Sequence, residues 1–183
     1  MKNAYIIHGS FGHPEENWIP WLKTELESKG YEVKVPAFPC GEEQNFDNWM
    51  EVIRPYLSEM SEETVLVGHS IGPAFILAVL EQLETPVRKA VLVSGFLGLL
   101  GNETFDEVNK TISAREFDWE KVRGNAGEFV MLHGSDDPYV PPAKSVELGG
   151  HLGVTPIMIE NGGHLNEAAG FTEFPQLLKE VLQ

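Results

Sequence analysis

Short apolar runs alternate with helical patterns along the whole chain. Six runs predict strands, at residues 4–8, 31–35, 64–68, 87–94, 128–133 and 154–160. Helical spacing of apolar residues lies at 18–29, 46–60, 72–83, 142–148 and 173–182, and Pro55 predicts a kink or a restart in the second of these. Strands that alternate with helices predict an α/β fold with a mostly parallel central sheet and helices on both faces.

The segment 95–123 departs from this alternation. It holds no clear strand, and it carries seven large apolar residues: Phe96, Leu97, Leu99, Leu100, Phe105, Phe117 and Trp119. Since it directly follows a predicted strand, it either packs on the core as a surface excursion or forms a small lid or pocket wall over the strand ends. A chain of 183 residues fits one hydrophobic core, so we expect one domain, 1–183, that includes this segment.

The composition narrows the range of partners and compartments. Asp and Glu total 28 against 13 Lys and Arg, for a formal charge of −15. A field of this sign repels phosphate backbones and anionic lipids, so we expect no nucleic-acid and no membrane partner. No apolar stretch approaches the roughly 18 residues of a membrane span, and the N-terminal run is too short for a secretory signal. With a single cysteine, Cys40, no internal disulfide can form, and we predict a cytoplasmic protein.

A G-x-S-x-G motif at 68–72 supplies a candidate nucleophile. It follows the predicted strand 64–68 and precedes the predicted helix 72–83, which is the setting of a nucleophile elbow, a tight strand-to-helix turn that exposes the serine hydroxyl. The helix N-terminus beneath it offers unpaired N–H groups. In this context the motif predicts that Ser70 is a nucleophile.

A serine hydroxyl needs a base, and the base needs an acid that fixes its tautomer. His164 follows two glycines on the loop after the last predicted strand, and we predict it to be the base. Asp136 and Asp137 both lie on the loop after strand 128–133. We prefer Asp137 as the acid, because it has the G-x-x-D-x-x-V-P spacing, and expect Asp136 to be a turn or capping residue. The chain order serine, aspartate, histidine is that of an α/β-hydrolase.

The oxyanion of an acyl-transfer intermediate needs backbone donors. The N–H of Ile71, next to the nucleophile, is one candidate. The other should come from the loop after the first strand, where we prefer the N–H of Ser10, with Phe11 next. Ser10 itself lacks the elbow context and is not expected to be the nucleophile.

Other chemistry is not indicated. His13, His133 and His151 lack metal-ligand spacing, so we predict no metal, and no Gly-Lys-Ser/Thr phosphate loop or dinucleotide fingerprint is present. His8 and His69 flank the two predicted oxyanion loops and are expected to pack or to orient those loops.

The chain resembles the α/β-hydrolase superfamily, and within it the small lidless serine hydrolases of the YdeN and retinoblastoma-binding-protein type. The resemblance covers nearly the whole chain and is carried by YIIHG at 5–9, GHSIG at 68–72, LVSGF at 92–96, SDDP at 135–138 and GGH at 162–164. It implies a three-layer sandwich without a large cap domain and without a metal or organic cofactor. It also implies that the triad falls on Ser70, Asp137 and His164.

These observations together predict a serine hydrolase that cleaves small esters or amides through an acyl-enzyme on Ser70. Carboxylesterase, thioesterase and aminopeptidase activity all remain open, and the expected partner is a small-molecule ester or amide. The alternative is a catalytically weak or silent protein of the same fold that binds another protein, since a fold alone does not define a function.

Overall fold

A computed structural model describes residues 2–183, which form one six-stranded sheet in which every neighbouring pair is parallel. The strand order is β2-β1-β3-β4-β5-β6. The strands are β1 Asn3–Ile7, β2 Glu32–Lys34, β3 Thr64–His69, β4 Lys89–Val93, β5 Phe129–Gly134 and β6 Ile157–Ile159. All six predicted strands are therefore confirmed, with the last one reduced to three residues.

Seven α-helices connect and cover the strands within the described residues. They are α1 Ile19–Ser28, α2 Phe46–Ile53, α3 Gly72–Leu80, α4 Glu103–Ser113, α5 Trp119–Gly124, α6 Pro142–Leu152 and α7 Pro175–Leu182. The predicted restart at Pro55 is confirmed, because α2 ends at Ile53 and a 3₁₀ helix continues from Arg54 to Glu59. No helix of residues 2–183 has both the length and the apolar character needed to cross a membrane.

The alternating side chains of the strands feed two apolar cores, one on each face of the sheet. Helices α1 and α7 pack on the face that carries Val65, Val67 and Val91, whereas α2 to α6 cover the opposite face with Leu66 and Leu92. Helix α3 is apolar throughout and fully buried, as expected for a helix between the sheet and other helices. The three-layer α/β sandwich with a parallel sheet is confirmed.

The segment 95–123 is more regular than the sequence pattern indicated. It forms α4 and α5, each begun by a side-chain cap: Asn102 accepts the N–H of Phe105, and Asp118 accepts the N–H of Lys121. The helix was hard to recognise in the sequence because two of the three buried residues of α4, Asn109 and Ser113, are polar. A large cap domain is absent from the described residues, and this segment contributes only these two helices.

The parallel strands place the loops that carry the candidate residues at one edge of the sheet. All strands are parallel, so the loops after β1, β3, β4, β5 and β6 leave the same edge of the sheet. The chain moves outward from β1 in both directions, to β2 on one side and to β3 on the other. Ligands of open α/β sheets bind in the crevice at such a switch point.

Candidate active site

Ser70 lies on a strained turn between β3 and α3. Its φ is 61°, a left-handed value rare for a residue with a side chain, and its N–H donates to the carbonyl of Val93 at 2.9 Å. A Cβ on Gly68 would lie 2.7 Å from the backbone of Gly72, and one on Gly72 would lie 2.7 Å from the carbonyl of Ile7. Both glycines of the motif are thus required by close backbone approach, which makes the turn a nucleophile elbow.

His164 and Asp137 meet across two loops. Nδ1 of His164 donates to Oδ2 of Asp137 at 2.7 Å, and the Asp137 side chain is fully buried. Because Nδ1 carries the proton in this bond, Nε2 is left with a lone pair and can accept a proton. Ser70 and His164 line the same cavity.

The loop after β5 holds the second carboxylate oxygen of Asp137. Oδ1 accepts the N–H groups of Tyr139 and Val140 at 2.9 and 3.0 Å. Burial alone would raise the pKa of Asp137, but the hydrogen bond and charge of His164, with these two amides, hold it below its usual value. The carboxylate is therefore ionised at neutral pH.

Asp136 points to a different partner. Its Oδ1 accepts the N–H of Gly163 at 2.8 Å, so it connects the loop after β5 to the loop that carries His164. It lies in the turn after β5, which is one of the two roles expected from the sequence, and the close approach of Gly134 to Gly163 brings that amide within its reach. Of the two aspartates, only Asp137 bonds the imidazole.

The loop of His164 is held by its main chain. The carbonyl of His164 accepts from Nε2 of His69 at 2.9 Å and from Oγ of Ser94 at 3.2 Å, and the carbonyl of Leu165 accepts from Nε1 of Trp18 at 2.9 Å. Sequence reasoning missed Ser94 and Trp18 in this role. Nothing local marks them, because their partners lie 70 and 147 residues away.

Two further buried histidines brace the neighbouring loops. Nδ1 of His8 donates to the carbonyl of Gly9 at 2.9 Å while its Nε2 accepts the N–H of Phe38. Nε2 of His133 donates to the carbonyl of Val140 at 3.0 Å. Burial lowers the pKa of both imidazoles, and it lowers that of His69 to about 3. The three are neutral hydrogen-bond donors to backbone carbonyls.

We expect acid to destabilise the fold through these histidines before the carboxylates contribute. The folded-state pKa of His69 is depressed, so below pH 6.5 the unfolded chain binds protons that the folded chain cannot, and the free energy of unfolding falls with pH. Down to pH 4.5, His69 can remove up to about 3 kcal/mol. The folded-state pKa of Asp137 is also depressed, so Asp137 acts in the same direction only at lower pH, as the pH falls through the usual pKa range of an aspartate.

The measurement is denaturant unfolding of wild type and His69→Gln at pH 7 and 4.5. Glutamine keeps a donor for the carbonyl of His164, so the variant should lose less stability between the two pH values. The exposed His151, changed to Gln, is the matched control and should keep the wild-type slope. An unfolding free energy that does not change from pH 7 to 4.5 contradicts the prediction.

The loop that carries Ser10, one of the two proposed oxyanion residues, lies against Ser70. A Cβ on Gly9 would lie 3.1 Å from Cβ of Ser70, so the loop after β1 passes directly against the elbow. Among the described residues the N–H groups of Ser10 and Ile71 have no protein acceptor, whereas the N–H of Phe11 donates to Oε1 of Gln44 at 3.2 Å. Phe11, the second choice from the sequence, is thus already occupied.

A cavity of about 270 Å³ opens over Ser70. Its apolar wall includes Phe11, Phe96, Leu100, Phe105, Tyr139 and Val140, and polar groups come from Ser10, Glu16, Asn17, Asn109 and Asn166. The segment 95–123 supplies four of these residues. The space is at the small end of ligand pockets and suits a small, largely apolar group.

Within residues 2–183, no hydrogen bond joins Ser70 Oγ to His164, and no cluster of three or more His, Cys, Asp or Glu side chains could hold a metal ion. Catalytic hydrogen bonds are often long in ligand-free enzymes and shorten when substrate binds. His13 and His151 are exposed and lie outside the cavity lining.

The parallel sheet and the strand–serine–helix turn define an α/β-hydrolase fold. The chain superposes on an extracellular α/β-hydrolase from a Paenibacillus species with a TM-score of 0.70, at 17% identity, over 99% of each chain, which is a likeness of fold. The model of the serine hydrolase family matches residues 4–183, and the chain belongs to that family.

Two relatives are similar over nearly their full lengths. YdeN of Bacillus subtilis (strain 168) is 31% identical over 177 residues, which cover 95% of this chain and 91% of YdeN. The crystal structure of the ydeN gene product superposes with a TM-score of 0.91, over 100% of this chain and 97% of that one. The serine hydrolase RBBP9 of Rattus norvegicus is 26% identical over 188 residues, covering 97% of this chain and 92% of its own.

Proposed function

We propose that this serine hydrolase cleaves small esters or amides through an acyl-enzyme on Ser70. The observation that carries the proposal is the 2.7 Å hydrogen bond from His164 to the buried carboxylate of Asp137, at a cavity that Ser70 also lines. The bond fixes the tautomer in which the free nitrogen of the imidazole can accept the proton of the hydroxyl.

The reaction has two halves. Oγ of Ser70 attacks the carbonyl carbon while Nε2 of His164 takes its proton, and the N–H groups of Ser10 and Ile71 bind the oxyanion. The tetrahedral intermediate expels the alcohol or amine, which receives the proton from His164. Water then attacks the acyl-enzyme, His164 takes its proton, and the acid is released with the Ser70 hydroxyl restored. Asp137 stabilises the imidazolium in both halves.

The cavity supports the substrate class. Its volume of about 270 Å³ and its aromatic wall favour short or aromatic acyl groups over long acyl chains. We propose that 95–123 is a pocket wall within a single domain, because Phe96, Leu100, Phe105 and Asn109 line this space.

The lone Cys40, free in the structure, favours a cytoplasmic location.

The test is labelling with a fluorophosphonate, which traps activated serine hydroxyls. We expect one adduct by intact mass, placed on Ser70 by peptide mapping. Folded wild-type protein without an adduct, or with an adduct on Ser10, would contradict the proposal and move the protein-binding alternative forward. An exposed serine of α1, Ser28, is an internal control that should stay unmodified.

A further inference from the structure

A buried hydrogen-bond network of amide side chains connects the loop after β1 to helix α4. Gln44 and Asn109 are only 3% and 2% exposed, which is rare for neutral polar residues unless they are hydrogen-bonded. Oδ1 of Asn109 accepts from Oγ of Ser10 at 2.6 Å and from Nε2 of Gln44 at 2.7 Å, and Oε1 of Gln44 accepts the N–H of Phe11 at 3.2 Å.

The N–H of Phe11 fixes which group donates and which accepts in each of these hydrogen bonds. The N–H of Phe11 can only donate, so it must face the oxygen of the Gln44 amide. That places Nε2 of Gln44 against Asn109, which must then present its own oxygen. The hydroxyl of Ser10 is left to donate to the same oxygen. Oδ1 of Asn109 therefore holds the loop after β1 at two residues: it bonds Ser10 directly and Phe11 through Gln44.

The opposite side of the loop is held as well. The carbonyl of Gly9 accepts from Nδ1 of His8 at 2.9 Å and from the N–H of Gly12 at 3.2 Å. The N–H of Ser10 belongs to the same planar peptide, so it points away from these donors. Phe11 keeps a left-handed φ of 56°, which a large side chain adopts only when its surroundings impose it.

We propose that Asn109 is a positioning residue for the oxyanion hole. It acts through the Ser10 side chain and, by way of Gln44, through the Phe11 amide, so that the Ser10 N–H is kept free and directed at the intermediate on Ser70. This inference rests on the proposed function. It gives α4, in the segment 95–123, a part in the chemistry as well as in the cavity wall.

The first test is Asn109→Leu, which has the same branching and the same number of side-chain heavy atoms but no acceptor. Loss of an oxyanion donor lowers kcat by about 10²–10³, and a misplaced donor should lower it by about 10- to 100-fold, with KM within about threefold. The affinity for a phenylboronic acid, which forms a tetrahedral anion on the serine, should fall by the same factor. Binding of the product carboxylate should not change.

Two variants separate positioning from general damage. Asn109→Asp keeps the accepting oxygen, so it should lose less kcat than Asn109→Leu, because the loop bonds persist. Ser10→Ala removes one bond without a large volume change, and its effect on kcat should not multiply with that of Asn109→Leu, since both act on one loop. If Asn109→Leu fails to fold, Ser10→Ala gives the kcat and boronate comparison by itself.

The matched control is Thr111→Val on the same helix. Its hydroxyl accepts the N–H of Phe46, so it joins α4 to the start of α2 and makes no hydrogen bond to Ser10 or Phe11. This variant should keep wild-type kcat and boronate affinity. Unchanged kcat in Asn109→Leu, or a loss confined to KM, overturns the inference alone. Failure of wild type to react at Ser70 overturns the proposed function instead.

Discussion

Replacing Ser70 with alanine is expected to lower kcat for a p-nitrophenyl ester by about 10⁴–10⁶. The alanine removes the only atom to which the acyl group can be transferred, while the cavity and the oxyanion amides remain. KM should change little, because the substrate is bound by the cavity wall. The measurement is steady-state turnover with p-nitrophenyl acetate and butyrate, corrected for hydrolysis by buffer.

Ser28→Ala is the matched control, because the hydroxyl of Ser28 bonds only within α1, to the carbonyl of Glu25. It should turn over like wild type. Circular dichroism and thermal unfolding of Ser70→Ala should match wild type, since the elbow's φ of 61° is held by backbone packing. Wild-type turnover in a folded Ser70→Ala would falsify the acyl-enzyme mechanism.

Asp137→Asn is expected to lower kcat by about 10⁴. The amide that replaces the carboxylate has one donor group and one acceptor group, and its oxygen is already required by the N–H groups of Tyr139 and Val140. Its NH₂ would then face Nδ1 of His164 and force the proton onto Nε2. In that tautomer the imidazole cannot take the hydroxyl proton, although the geometry of the site is kept.

Asp136→Asn provides the comparison at the neighbouring position. Asparagine still offers an oxygen to the N–H of Gly163, so kcat should stay within about tenfold of wild type. The two variants are to be assayed over pH 5–9 with one ester. Equal losses at both positions would contradict the assignment of Asp137 as the acid.

The parts of the fold set by local pattern were predictable. Runs such as 64–68 are apolar because both faces of their strands are covered. The glycines around Ser70 are required by close approach to the backbone of Gly72 and Ile7, but the G-x-S-x-G motif already marks them in the sequence. The spacing after Gly134 separated Asp137 from Asp136 without any coordinates, and in the structure it is Asp137 that bonds His164. The catalytic roles of these residues stay predictions.

The parts set by long-range contacts were not predictable. Asn109 and Gln44 look like ordinary surface amides in the sequence, and only the fold buries them together with Ser10. Helix α6 continues past Leu148 through two glycines, where the pattern predicted its end. Glycine is required at Gly149, because a Cβ there would lie 2.4 Å from the carbonyl of Val154.

The loop that carries His164 is held by the main-chain carbonyl of that residue and not by its side chain. His69 and Ser94 hold the peptide of residue 164 whatever side chain that residue carries. On the proposed mechanism, a variant without the imidazole would no longer cleave an ester, yet it would keep the loop, the cavity and the elbow. One substitution at residue 164 would then turn the proposed enzyme into a binding protein.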